Sequence, residues 1–255
     1  MLTATTCTHE PRGELIGLPN RSRGLIGALA AAMLFVLAAP VSAQSEVRFD
    51  FDGEPGEGAL PKPWTFNRWS PLFSFGSFEA TAKVVSVEGD KVLYLRSADS
   101  GFLVGSKRQV DVARFRHVRW RWKAEALPTG ASFRQRSTND QALQLLFGFA
   151  GGKIVGYIWD STDEPGATGS GLSWRDDVRV IVVRAGPEHL DEWLMERRNL
   201  YDDYVRLFGE APPQMVGVAI QSNSQHTESA GAGFVGAITL TPEAPPPPAA
   251  PVASE

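Results

Sequence analysis

Three basic side chains at alternating positions form the most chemically suggestive pattern in this sequence. Arg119, Arg121 and Lys123 are separated by single residues, so in a β-strand they lie on one face, about 7 Å apart. That spacing suits successive carboxylates or sulfates on an acidic polymer, because guanidinium groups bind such anions through paired hydrogen bonds. The alternative is a solvated sheet face on which acidic residues of neighbouring strands neutralise the cations.

Two polar segments and one indole complete the residues that could bind a ligand. Asp140 follows a polar loop and opens an apolar run, while Asn223 and His226 lie in the polar residues 222–227. Trp159 can stack on the apolar face of a sugar ring. Loops and strand ends commonly carry binding residues. The candidate ligand-binding set is therefore Arg119, Arg121, Lys123, Asp140, Trp159, Asn223 and His226.

Signatures of catalysis are weak. The sequence has no Gly-x-Ser-x-Gly segment and no glycine-rich phosphate loop ahead of a helix. Tyr157 and His226 are the only catalytic candidates. With Arg121 they loosely resemble the site of polysaccharide lyases acting on uronates, in which a cation neutralises the carboxylate and a Tyr or His moves a proton. Their spacing does not match such a lyase, so we expect binding without catalysis and keep a uronate lyase-like enzyme as an alternative.

Metal and cofactor motifs are missing from the sequence. Beyond residue 43 the histidines are His117, His189 and His226, which have no paired spacing, and the only cysteine is Cys7. Zinc sites need clustered thiolates or imidazoles. We therefore expect no metal and no cofactor, and calcium binding by the turn carboxylates of residues 160–164 is left open.

The first 43 residues have the features of an export signal. Arg21 and Arg23 precede an uncharged apolar run at residues 25–39, and small residues ending at Ala43 offer a cleavage point. The run is too short for a comfortable membrane span. We expect a periplasmic or extracellular protein with no stable membrane span after cleavage. Cys7 would leave with the signal, so stability must come from a core rather than a disulfide.

Composition and charge narrow the class of protein. With 43% hydrophobic and 21% charged residues the chain is globular, and its net charge of −4 argues against nucleic-acid binding. Residues 242–255 are proline-rich and have nothing to bury, so we expect a disordered tail. A tethering tail would suit a third interpretation, a structural protein of envelope assembly. The oligomeric state is left open.

Residues 44–241 alternate between apolar and polar side chains, which is typical of strands. Residues 84–87 and 92–95 flank Glu88-Gly89-Asp90, and a second turn lies at residues 150–152. In residues 118–124 the tryptophans fall on one face and the cations on the other. The pattern predicts a mainly β fold, a two-sheet antiparallel jelly-roll-like sandwich with one short helix.

The single helix is predicted near residue 200. Asn199 is a plausible N-cap and Gly209 a C-terminal stop. Residues 190–198 could extend this helix or form a strand with Trp193, Met195 and Arg197 on one face, and we favour strand then helix. Within the helix, Asp203 is expected to pair with Arg198 or cap locally.

Several motifs together resemble a known family. They are Trp120-Arg121-Trp122-Lys123, Asn139-Asp140-Gln141, Tyr157-Ile158-Trp159 and Arg198-Asn199-Leu200 with Asp203-Tyr204 and Phe208-Gly209. Their order and spacing resemble the exported bacterial family DUF3047, a domain of unknown function, over roughly residues 49–240. The resemblance implies a β-sandwich outside the cytosol and brings no activity. A carbohydrate or another envelope polymer is the partner we expect for such a sandwich.

Overall fold

The computed structural model describes residues 45–53, 60–68, 79–172 and 175–244. The expected export signal and most of the expected proline-rich tail lie outside these residues. The interpretations that depend on those two segments stay predictions.

The first sheet has seven strands in the order β1-β14-β6-β13-β4-β3, with β11 also paired to β6. β13 and β14 share one edge of β6, while β11 runs along the other edge. The strands of this sheet are β1 Val47–Phe49, β3 Glu79–Val87, β4 Asp90–Ala98, β6 His117–Ala126, β11 Leu194–Asn199, β13 Ala230–Val235 and β14 Ile238–Thr241.

The second sheet also has seven strands, in the order β2-β5-β12-β7-β8-β10-β9. They are β2 Thr65–Arg68, β5 Gly101–Val110, β7 Gln141–Phe149, β8 Ile154–Asp160, β9 Thr168–Leu172, β10 Arg175–Ala185 and β12 Met215–Asn223. The two sheets pack face to face, so the predicted sandwich is confirmed. One pair departs from the antiparallel expectation: β8 and β10 are parallel, because the chain between them forms β9 on the far edge of β10.

Both predicted hairpins are present. β3 and β4 are joined by Glu88 and Gly89, whose φ angles are 52° and 88°. Two successive positive φ values are what a tight two-residue hairpin turn requires. β7 and β8 are joined through Gly151 and Gly152, which also have positive φ. These turns fix the register of the strands on either side of them.

The core is formed by aromatic rings from both sheets. Trp120 and Trp122 of β6 are almost completely buried, as their spacing predicts. Trp120 stacks on Tyr157 with ring centroids 5.2 Å apart, and Trp122 lies 5.8 Å from Trp159. The indoles of β6 therefore point inward, and its basic residues must point outward.

The order of strand and then helix is confirmed at residues 194–208. β11 ends at Asn199, and helix α1 covers Leu200–Phe208. The Asn199 side chain accepts a hydrogen bond from the Asp202 backbone N–H at 3.1 Å. Gly209 ends the helix with φ 74° in the left-handed region. Both helix ends thus follow the capping rules.

Two buried tyrosines predict a loss of stability at alkaline pH. Burial and the neighbouring Glu210 carboxylate raise the pKa of Tyr204 to about 12. Burial and Asp203 raise the pKa of Tyr157 well above 10.0. Since the folded state keeps these protons longer than the unfolded chain does, the free energy of unfolding should fall as pH rises from about 10 towards 12. Urea unfolding of the wild type and Tyr204→Phe at pH 8 to 11.5 measures this, and parallel curves for the two proteins would contradict it.

Candidate functional site

The basic residues of β6 lie on the outer face of the first sheet, and each has an acidic neighbour. Arg119 is 3.5 Å from Glu46, and Arg121 is 2.8 Å from Asp90. Lys123 is 3.8 Å from Glu125. The structure thus contains both features weighed from the sequence, an aligned cationic row and partial neutralisation by carboxylates. Since exposed ion pairs are weak, the cations remain able to exchange partners.

Three aromatic rings share this outer face with the cations. The Arg121 guanidinium lies over Trp193 at 4.6 Å, and the Lys123 ammonium lies over Phe234 at 4.8 Å. Phe234 contacts Trp193 at 5.9 Å and Tyr94 at 4.9 Å between ring centroids. We call this group of Tyr94, Arg121, Lys123, Trp193 and Phe234 the aromatic–cationic face. All five side chains are partly exposed.

Strand register explains why these residues meet. Phe234 of β13 pairs with Lys123 of β6 on one side and with Tyr94 of β4 on the other. Residues directly opposite each other in neighbouring strands project from the same face. Trp193 immediately precedes β11, the strand on the other edge of β6. Four segments far apart in sequence therefore contribute one row of side chains.

A groove with a volume of about 410 Å³ lies beside this face. Its charged lining consists of Arg48, Lys91, Arg119, Arg121, Asp52 and Asp90. Cations thus outnumber carboxylates, which favours an anionic occupant. Gly236 also lines the groove, and a Cβ on it would come 2.8 Å from Arg121 Cγ. The glycine lets the long arginine side chain cross the sheet surface.

Asp140, Asn223 and His226 come together at one end of the second sheet. Asp140 is fully buried and accepts hydrogen bonds from Asn223 Nδ2 at 2.8 Å and from the His226 backbone N–H at 2.8 Å. It also accepts from the backbone N–H and the hydroxyl of Thr227, at 2.7 and 2.8 Å. His226 Nδ1 lies 3.1 Å from the same carboxylate. The carboxylate therefore anchors the loop after β12.

This arrangement corrects two of the binding assignments. Asp140 has no exposed surface, and Asn223 is 4% exposed with its side chain bonded to Gln141, Gln144 and Asn139. Neither can contact a ligand on the surface, because the hydrogen-bonding groups of both already face protein atoms. Of the three, only His226 presents an exposed side chain.

Tyr157 and Trp159 lie inside the sandwich, which corrects their assignment as site residues. Tyr157 is 0% exposed and its hydroxyl donates to Asp203 Oδ2 at 2.8 Å. Trp159 is 1% exposed and its indole N–H donates to the Gly186 carbonyl at 3.2 Å. Because Tyr157 stacks under Trp120 while Arg121 faces outward, the first sheet separates them. The set of Tyr157, Arg121 and His226 needed for a lyase-type reaction is not assembled.

The residues that the sequence reasoning missed are Tyr94 and Phe234. Trp193 was placed on a strand face with Met195 and Arg197, and that face proves to be the outer one. The alternation within β4 and β13 gave a signal, since Tyr94 and Phe234 stand between more buried neighbours. Which face of β4 and β13 is turned to solvent depends on how the sheet pairs with β6, and that pairing could not be predicted from the alternation alone.

Groups of three or more His, Cys, Asp or Glu side chains able to hold a metal ion are absent from the described residues. Within the same ranges, no helix is long and apolar enough to cross a membrane.

The solved structures similar to this chain include the following two. One is the family 11 carbohydrate-binding module of a cellulosomal cellulase of Clostridium thermocellum, with 11% identity and a TM-score of 0.38 over 78% of this chain and 96% of that one. The other is endoglucanase 3 of family GH12 from Trichoderma harzianum, with 11% identity and a TM-score of 0.39 over 77% of this chain and 96% of that one.

Comparison with curated proteins finds no match. A family model does match, over residues 67–239, which is more than half of the chain. The matched range runs from β2 to β14 and includes the whole aromatic–cationic face. The chain therefore belongs to DUF3047, a family of proteins of unknown function.

Proposed function

We propose that this protein binds a polysaccharide, or another envelope polymer, without catalysis through the aromatic–cationic face and the adjoining groove. The observation that carries the proposal is the row in which Arg121 and Lys123 stand over Trp193 and Phe234 beside a groove of about 410 Å³. Rings offer apolar surface to the C–H face of a sugar, and the cations offer donors to its oxygens. Binding sites combine apolar lining with a few placed polar groups in this manner.

An open sheet face suits a polymer better than a small molecule. The aromatic–cationic face extends across β6, β13 and β4. The groove beside it extends towards β1, where Arg48 and Thr239 line it. A chain of sugars can make contacts along this whole length. If the export signal expected at residues 1–43 is used, the face meets the polymers of the cell envelope.

The proposal predicts a large loss of polymer binding when residues of the aromatic–cationic face are replaced by alanine. Affinity gel electrophoresis of residues 44–255 in polygalacturonate, alginate and hydroxyethylcellulose should show retardation by at least one of these polymers. The double variant Arg121→Ala, Trp193→Ala should bind about tenfold more weakly or worse, since it removes a stacking surface and a charge-assisted donor.

Arg134, which lies outside the proposed surface, provides a matched control. Arg134 also pairs with a carboxylate, Asp163 at 2.6 Å, and lies 5.1 Å from the Phe133 ring. Arg134→Ala removes the same kind of side chain from outside the proposed surface and should leave retardation unchanged. Equal losses in Arg134→Ala and in the double variant, or no retardation by any of the polymers, would contradict the proposal.

A further inference from the structure

Two arginines face each other directly across the β6–β11 pair. Arg197 of β11 is the register partner of Arg119 of β6. Both point to the outer face, because the flanking Glu196 bonds inward to the Trp122 indole and Arg198 bonds inward to Asp203. Directly opposed residues have Cβ atoms about 5 Å apart, and like charges in that position are unfavourable.

The two guanidinium groups also have unused donors. Among the residues that the structure describes, the buried Nε atoms of Arg119 and Arg197 have no hydrogen-bond partner. Arg119 pairs with Glu46 at 3.5 Å through another nitrogen. Buried donors without partners cost stability. An anion that accepts hydrogen bonds from both arginines would offset the repulsion between their charges.

The residues paired with Arg119 on its other side lead towards the groove. Thr239 of β14 pairs with Arg119 on one side and with Arg48 of β1 on the other. Three arginines and one threonine thus lie in a line across four strands. Arg48, Arg119 and Thr239 all line the groove.

We propose that Arg119 and Arg197 form an oxyanion subsite that holds a carboxylate or sulfate group of the bound polymer. This inference rests on the proposed function and names its ligand class, an acidic rather than a neutral polysaccharide. The anion relieves the repulsion of the opposed guanidinium groups by accepting hydrogen bonds from their accessible nitrogens, and Arg48 extends the positive line into the groove. Arginine is suited to this because its planar fork binds two oxygens at once.

The position of the subsite limits what a small ligand can report. On β6, Arg119 lies two residues from Arg121 and four residues from Lys123, so about 7 Å separates the subsite from Arg121 and about 13 Å separates it from Lys123. One sugar ring does not span the distance to Lys123. A free sulfate therefore tests the subsite alone, and a polymer tests the whole surface.

The test follows the arginine Nε–H signals by ¹H–¹⁵N NMR of residues 44–255. Sodium sulfate, sodium galacturonate and sodium chloride are titrated at matched ionic strength. We expect the Arg119 and Arg197 signals to shift saturably with sulfate or galacturonate and not with chloride, and the tighter of the two identifies the anion. Arg197→Gln should weaken that binding about tenfold or more. Glu46→Gln should strengthen it, because it removes a competing carboxylate.

The control is Arg134→Gln, which should leave the anion titration unchanged. If neither anion moves the Arg119 and Arg197 signals beyond the effect of chloride, the subsite is wrong, and the proposed function still stands if the polymer binds. If the anions bind at Arg119 and Arg197 and no polymer does, the two arginines form an anion site, and both the polymer ligand and the proposed function are wrong. Equal weakening by Arg197→Gln and Arg134→Gln would also overturn the subsite.

Discussion

Replacing Asp203 by alanine should destabilise the fold by roughly 3 kcal/mol, because it leaves the buried Tyr157 hydroxyl and the partly buried Arg198 guanidinium without their anion. The carboxylate is 7% exposed. It accepts two hydrogen bonds from Arg198 at 2.7 and 2.9 Å and one from the Tyr157 hydroxyl at 2.8 Å, with Arg206 at 3.2 Å. Since it ties α1 to β11 and to the core tyrosine, we expect a lower urea midpoint with an unchanged slope.

The neighbouring aspartate provides the control for this prediction. Asp202 stands one position earlier in the helix and pairs with Arg116 at 2.8 Å at the surface. Asp202→Ala removes an exposed ion pair, so its loss should be about 1 kcal/mol or less. Similar losses at both positions would show that burial does not govern this ion-pair network.

Asp140→Ala should also be strongly destabilising, by about 3 kcal/mol or more. Four hydrogen bonds of 2.7–2.8 Å from Asn223, His226 and Thr227 end on this fully buried carboxylate. Without it, the backbone N–H groups of His226 and Thr227 lose their acceptor in a part-buried loop. Asn223 Nδ2 and the Thr227 hydroxyl keep other acceptors. Each unsatisfied buried donor costs about 1–3 kcal/mol before relaxation. Urea unfolding measures the total, and hydrogen exchange should increase most at residues 223–229.

A milder substitution and a binding measurement distinguish an anchoring role of Asp140 from a ligand-binding role. Thr227→Val removes the hydroxyl that bonds Asp140 at 2.8 Å and Ser229 at 2.7 Å, and it keeps the backbone hydrogen bonds of the loop to the carboxylate. It should cost about 1–2 kcal/mol. Under conditions where the Asp140→Ala variant is folded, we expect this variant to bind the polymer as tightly as the wild type does. A selective loss of binding in folded Asp140→Ala would instead place the ligand at that loop.

Features set by a few neighbouring residues could be predicted from the sequence. The alternation in β6 determined which side chains are buried, since Trp120 and Arg121 must point to opposite faces of a strand. Glu88 and Gly89 marked a hairpin, and Asn199 marked the start of the helix. The pairing of Asp203 with Arg198 followed from their spacing along β11 and α1.

Features set by long-range pairing could not be predicted. Strand β8 is buried on both faces, so its pattern did not show that Tyr157 and Trp159 face the other sheet. Asp140 meets partners 83 to 87 residues away, which turns a plausible ligand contact into a loop anchor. The aromatic–cationic face likewise depends on the register of β6 with β11 and β13.

The tryptophan indole N–H signals give the most direct test of where the polymer binds. The chain has seven tryptophans; Trp193 is partly exposed on the aromatic–cationic face, while Trp120, Trp122 and Trp159 are in the core. When ¹⁵N-labelled residues 44–255 are titrated with oligogalacturonate, the Trp193 signal, assigned with Trp193→Phe, should shift saturably while the three core signals stay in place. Saturable binding that leaves the Trp193 signal unmoved would contradict the account.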